Sequence, residues 1–293
     1  MIKYFNYLVG VISPDEEVSQ VMLYLFVTLP FVVTAWVLYS SRDMLLAVSR
    51  WILRRRYEIR LEGDFQFENK KNYLIIPNHP AIVDPMILVP ELHHEGLDIC
   101  PLVDESFFSN RLARHILALL NAVRVPDFRK SNFRPFLKAY PTYKSSARRA
   151  KALSYSILAL LTAGENVLLY PSGHITADGR EDLGNRQLAY NAISQLPDGV
   201  EVVAIRMRGL FGSMWSRAGG TPAPPLIKTL VKAIFLWPCS FFRRKRSVQI
   251  YAENVTQKVV EWSKTSRGEF DKRLESWYNA DLEMKGLVVE TPT

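Results

Sequence analysis

The chain has only two cysteines in 293 residues, Cys100 and Cys239. They lie far apart and without ligand spacing. That argues against a disulfide framework and a cysteine-built zinc site, and it suits a reducing compartment. No internal repeat and no low-complexity tract occurs, so solenoid and array architectures are set aside. Bulk disorder is also disfavoured, because 48% of residues are hydrophobic and 23% charged, the balance of a globular chain. Acids are the scarcer sign, 29 against 37 basic residues, giving a net charge of +8 and an anionic expected partner. Nucleic acid, anionic lipid and phosphorylated small molecules share that property. Nucleic acid is poorly supported: the basic residues cluster beside apolar stretches rather than stacking aromatics, and no recognition motif appears. No metal is expected either, since His93-His94 is an adjacent pair in a charged loop.

Charge vanishes from one stretch altogether. Val18 to Ser41 is 24 residues without a charged side chain and includes Leu23, Phe26, Leu29, Phe31, Val33, Trp36 and Leu38. It is long enough to cross a bilayer core of about 30 Å. A basic n-region and a small-residue cleavage site are missing, which disfavours a removable signal peptide. Pro30 would kink the helix or split it into a hairpin confined to one leaflet. A buried core helix is the alternative. Arg42, Arg50, Arg54, Arg55, Arg56 and Arg60 follow the run, whereas Asp15-Glu16-Glu17 precede it. The positive-inside rule then puts the body of the protein on the cytoplasmic face of a membrane. Leu45, Leu46, Val48, Trp51, Ile52 and Leu53 interleave with the arginines, as in a helix lying along a lipid surface.

From residue 57 short β-type runs alternate with longer amphipathic ones. Strands are expected at Tyr57–Leu61, Tyr73–Ile76, Leu97–Val103, Ala122–Pro126, Asn166–Tyr170, Glu201–Met207 and Ser247–Ala252. Helices are expected around Val83–Leu92, Phe107–Leu120, Phe133–Leu161, Gly184–Gln195 and Leu226–Phe235, with a helical tail that docks through Leu274, Trp277 and Tyr278. The pattern predicts an α/β fold with a largely parallel central sheet flanked by helices. The chain then divides into an N-terminal membrane segment with its basic helix (1–56), an α/β domain (57–285) and a tail (286–293). Leu226–Phe242, followed by Arg243-Arg244-Lys245-Arg246, reads either as an interfacial helix with a basic collar or as a core helix.

Four clusters fall near predicted sheet ends. Asn78-His79 with Asp84 sits at a strand-to-helix turn, where α/β sheets place chemistry. His79 and Asp84 look like a base and its orienting carboxylate; a helix cap and a plain loop histidine are the alternatives. Arg124 to Arg129 follows the fourth strand. Tyr170-Pro171-Ser172-Gly173-His174-Ile175-Thr176 follows the fifth. Arg206 and Arg208 share one face of the sixth, which favours an anion site.

These blocks resemble the glycerolipid acyltransferases, the family of lysophosphatidate acyltransferase. Its Asn-His-x-x-x-x-Asp hallmark is matched by Asn78, His79 and Asp84. Its Phe-Pro-Glu-Gly block is matched by Tyr170, Pro171, Ser172 and Gly173. Its final strand block is matched by Val202 to Ile205. The run Arg208 to Ser213 looks like the acyl-glycerophosphoethanolamine acyltransferase branch. The resemblance spans roughly residues 50–280. It departs from the family at Ser172, where Glu is usual, at His174, and at Ala204, where Pro is usual; the Arg129 block fits loosely. It implies acyl transfer from acyl-CoA or acyl carrier protein to a lysophospholipid hydroxyl, with no bound cofactor. His79 would be the general base and Asp84 its orienter. Asn78, Arg129, Ser172, Gly173, His174, Arg206 and Arg208 would line the acceptor pocket. The helix N-terminus after Asn78 is expected to offer backbone N–H groups to the oxyanion. A non-catalytic lipid-binding protein and an acyl esterase are the competing readings.

Overall fold

The computed structural model describes residues 41–125, 146–218 and 244–284, apart from 64–66, 69–70 and 185 and the side chains of 112, 146–151 and 281–284, together with a few isolated positions. The elements are α1 (Arg42–Arg56), β1 (Tyr57–Glu62), β2 (Asn72–Pro77), α2 (Asp84–His94), β3 (Ile99–Asp104), α3 (Arg111–Leu119), β4 (Val123–Val125), α4 (Ser146–Thr162), β5 (Asn166–Leu168), α5 (Leu188–Ile193), β6 (Val200–Arg208), β7 (Arg246–Asn254), α6 (Thr256–Ser263) and α7 (Arg267–Met284). The chain divides into units Met1–Leu46 and Ala47–Thr293, and the whole sheet belongs to the second.

Among the described residues seven strands form one sheet in the order β1-β7-β6-β2-β5-β3-β4. Only the β6–β7 pairing is antiparallel, so β2 to β6 run one way and the β1–β7 flank runs the other. The expected α/β class and largely parallel sheet are therefore present, and all seven predicted strands appear.

Burial explains the sequence texture. Tyr73, Leu74, Ile75 and Ile76 are all fully buried, as a strand covered on both faces requires. By alternation Leu74, Ile76, Val202 and Ala204 point to one face. There they pack with Leu153, Ile157, Leu161, Val259, Phe270, Leu274 and Tyr278 of α4, α6 and α7. The docking of the tail helix through Leu274 and Tyr278 is thus as expected. At the sheet margin β1 buries Tyr57 and Ile59 but exposes Glu58 and Arg60, an ion pair that keeps an edge strand polar.

Two asparagine side chains brace β2 at its ends. Near its start, Asn166 accepts from the Tyr73 N–H at 2.9 Å and donates to the Asp98 carbonyl at 2.8 Å. Just past its finish, Asn78 accepts from the Met207 N–H at 2.6 Å and donates to the Met207 carbonyl at 3.2 Å. Each amide stands in for a peptide group where the ladder would otherwise leave buried backbone unsatisfied.

No helix among the described residues is long and apolar enough to cross a membrane. The Val18–Ser41 run, the Arg129 block and the Leu226–Phe242 stretch lie almost wholly outside the described residues.

Candidate functional site

The turn after β2 is the centre of the site. Pro80 lies within it, Pro85 stands at the start of α2, and Asp84 stands at the first turn of that helix. Asp84 does not cap that helix. Its fully buried carboxylate turns back, accepting from the Ala81 N–H and meeting His79 Nδ1, both at 3.0 Å through Oδ2. The carboxylate can only accept while ionised, so Nδ1 carries the proton and Nε2 is left as the basic nitrogen. Burial pushes the Asp84 carboxyl up; the imidazole and the Ala81 N–H pull it back. The His79 side chain keeps 16% of its surface exposed, enough for a reacting group to reach it.

The main chain around His79 is fixed on both sides. Its carbonyl accepts from the Thr176 N–H at 3.0 Å, and its own N–H donates to Glu181 Oε2 at 3.0 Å. The Tyr170 ring lies against the imidazole with centroids 4.3 Å apart. Tyr170 reaches this position because β5 stops at Leu168, two residues before the expected end. Its hydroxyl is buried, and burial together with the carboxylates of Asp84 and Glu181 holds its pKa well above the ordinary tyrosine value.

Four N–H groups of the turn are engaged by the fold. Asn78 N–H bonds the Ile205 carbonyl, His79 N–H bonds Glu181, Ala81 N–H bonds Asp84, and Ile82 N–H bonds the Trp215 carbonyl. Pro80 has no N–H. These four amides tie the turn to β6, to Glu181, to Asp84 and to the Trp215 loop, which leaves them unavailable to an oxyanion.

The remaining predicted residues fall in three places. Ser172 is buried, donating to the His174 carbonyl at 3.1 Å, and lies beside Glu181. His174 Nδ1–H donates to the Ser172 carbonyl at 2.8 Å. Gly173 closes the Tyr170–Gly173 turn with φ +60, a left-handed conformation that suits glycine. Asn78 binds Met207 on both sides of its amide, which accounts for it as a brace. Arg206 and Arg208 do share a face at the same sheet end, but that face is covered by α7. The Arg206 guanidinium lies over Tyr251 at 4.6 Å and over Trp277 at 4.5 Å, and Arg208 donates to the carbonyls of Met207 and Tyr278. Arg124 sits over the Phe108 ring, and Arg129 lies outside the described residues.

Sequence reasoning missed Glu181. It lies in the polar run Asp178-Gly179-Arg180-Glu181-Asp182, which reads as a solvated loop. Yet it is 4% exposed, and its backbone is clamped to the α7 side chain Asn279, N–H to Oδ1 and C=O to Nδ2, both at 2.9 Å. Burial pushes its carboxyl up to about 7, opposed by the Ser172 hydroxyl and the His79 N–H.

The sequence was compared with known proteins. No curated protein matches it. A solved structure, the 1-acyl-sn-glycerophosphate (LPA) acyltransferase PlsC from Thermotoga maritima, is similar at 14% identity and a TM-score of 0.48, covering 99% of this chain and 100% of that one. The family model described as Acyltransferase matches residues 58–208, just over half of the chain and inclusive of the β2 turn, the β5 turn and β6. On that match, the chain belongs to the acyltransferase family.

Proposed function

We propose that this acyltransferase moves a fatty acyl group from an acyl thioester, on coenzyme A or a carrier protein, to the hydroxyl of a lysophospholipid-type acceptor. The observation that carries the proposal is the His79–Asp84 contact: a mostly covered but still accessible imidazole whose Nδ1 meets a fully buried carboxylate at 3.0 Å.

An alcohol is a weak nucleophile at neutral pH. His79 Nε2 takes the hydroxyl proton as the oxygen attacks the thioester carbonyl, a step worth typically about 10²- to 10⁴-fold. Asp84 keeps Nδ1 protonated and stabilises the imidazolium. When the tetrahedral intermediate collapses, the C–S bond breaks and His79 returns the proton to the departing thiolate. The C–O bond formed and the C–S bond broken balance the transfer, and no covalent enzyme intermediate is needed.

The membrane supplies the acceptor, and α1 is suited to meet it. Arg50 and Arg54 converge on Glu91 of α2 at 3.1 and 2.6 Å. That leaves Trp51 and Ile52 exposed with Arg55 over the Trp51 ring, the mixture of apolar and cationic groups an anionic bilayer surface favours. The catalytic unit then works at the cytoplasmic face.

The test is His79→Ala assayed in membranes with labelled acyl-CoA and a panel of lysophospholipids. Loss of transfer with folding intact is the expected result; unchanged transfer removes His79 from the chemistry. Release of the acyl group to water without an acceptor would mark an esterase instead.

A further inference from the structure

His79 is gripped by two carboxylates, not one. Asp84 holds the ring, and Glu181 holds the peptide that carries the ring. Glu181 comes from a different loop, 102 positions away, and the structure devotes several contacts to placing it. Asn279 of α7 takes both its N–H and its C=O. Two residues on, the Leu183 N–H donates to Glu275 of the same helix at 2.8 Å.

The arrangement is costly for a purely structural bond. A buried carboxylate loses its hydration, and this one recovers the His79 N–H bond through Oε2 and the help of the nearby Ser172 hydroxyl, while Oε1 is buried without a hydrogen-bond partner among the described residues. A neutral amide or hydroxyl would satisfy the same N–H at lower cost. A costly acid kept beside a candidate base is what functional sites accumulate. The groups facing it are His79 from the β2 turn, Asp84 from α2, Tyr170 and Ser172 from the β5 turn, and Tyr278 and Asn279 from α7. Among the described residues facing it none is a lysine or arginine, so the positive charge there that answers Glu181 is the one His79 acquires when it takes a proton.

We propose that Glu181 is a positioning residue for acyl transfer: it fixes the main chain of His79 from α7, and its negative charge favours the imidazolium formed in the reaction. The proposal rests on His79 acting as the base. Its carboxyl, pushed up to about 7 by burial, also places a change in that charge within the working pH range. The kcat rises as Glu181 ionises.

The experiment compares Glu181→Gln and Glu181→Ala with the parent and with His79→Ala. It uses the full-length protein in detergent with palmitoyl-CoA and 1-acyl-glycerol-3-phosphate, from acid to mildly alkaline pH. Glu181→Gln can still accept the His79 N–H but holds no charge. It is expected to keep both KM values within about twofold, lose up to about tenfold in kcat above neutral pH, and lose the kcat limb near neutrality. Glu181→Ala also frees the peptide and is expected to lose about a hundredfold in kcat. Parent-like kcat and pH profile in both variants, with His79→Ala inactive, overturns the role of Glu181 while sparing the base. A parent-like profile in Glu181→Gln with loss only in Glu181→Ala leaves a mere structural prop and also overturns it. Full activity of His79→Ala overturns the acyl-transfer mechanism itself and this inference with it. Should Glu181→Ala fail to fold, Glu181→Gln decides alone.

Discussion

The turn after β2 and the loop after β5 leave the sheet at the same end, and they are held in opposite ways. The first sets its reactive side chains locally: Asp84 reaches back five residues to His79 and three to Ala81. The second is held by one remote helix, α7, through Asn279 to Glu181 and Glu275 to Leu183, at separations above 90 residues. Local bonds fix the chemistry of the site. Long-range bonds fix where that chemistry sits. The two kinds should fail differently when cut.

The largest expected effect comes from the local set. His79→Ala and Asp84→Asn should each lower kcat by about 10²- to 10⁴-fold, with acyl-donor KM little changed. Steady-state kinetics on folded protein check this, and a tenfold KM change without a kcat change would place both residues in binding instead. The next effect is on stability. The folded state binds the Glu181 proton more tightly than the unfolded chain, whose value is 4.5 against about 7 when folded. Between those values the folded state holds the extra proton, so stability falls as pH rises through that window and levels off above it. The total is about 3 kcal/mol. Glu181→Gln removes the difference, so parent and variant melting curves should separate progressively toward alkaline pH; parallel curves would place the carboxyl in a more solvated setting.

Smaller effects come from the helix side. Asn279→Ala leaves the Glu181 N–H and C=O without their partners and should cost about 1–3 kcal/mol with a modest drop in kcat. Urea denaturation and kinetics on the same preparation separate the two readouts. Smallest of all, Arg206→Ala should cost about 1 kcal/mol for the contacts with Tyr251 and Trp277 and leave acceptor KM unchanged. A selective rise in acceptor KM would restore the sequence-based anion site.

That same contrast sets how much was legible beforehand. The strands of the sheet were, because continuous burial writes itself into runs such as Tyr73 to Ile76. His79 and Asp84 were, because the two partners of the contact stand only five positions apart. Arg206 and Arg208 were half legible. Alternation correctly put them on one face, but which layer covers that face depends on α7, some 70 residues later. Glu181 was hidden, since an acid in a polar run looks solvated until a distant helix closes over it. The engagement of the turn's amides was hidden for a related reason: those of Asn78, His79 and Ile82 go to Ile205, Glu181 and Trp215, far along the chain, and sequence does not say where each N–H goes.

The asparagine braces at the two ends of β2 carry a further consequence. A primary amide neither gains nor loses a proton across any pH a cell experiences. The strand that delivers His79 is therefore seated on bearings that acid and base cannot loosen, and the pH response of the enzyme is left to its imidazole and carboxyls. Hydrolytic ageing of either amide to an acid would act otherwise: it would set a negative oxygen against the Met207 or Asp98 carbonyl and tilt the strand beneath the turn.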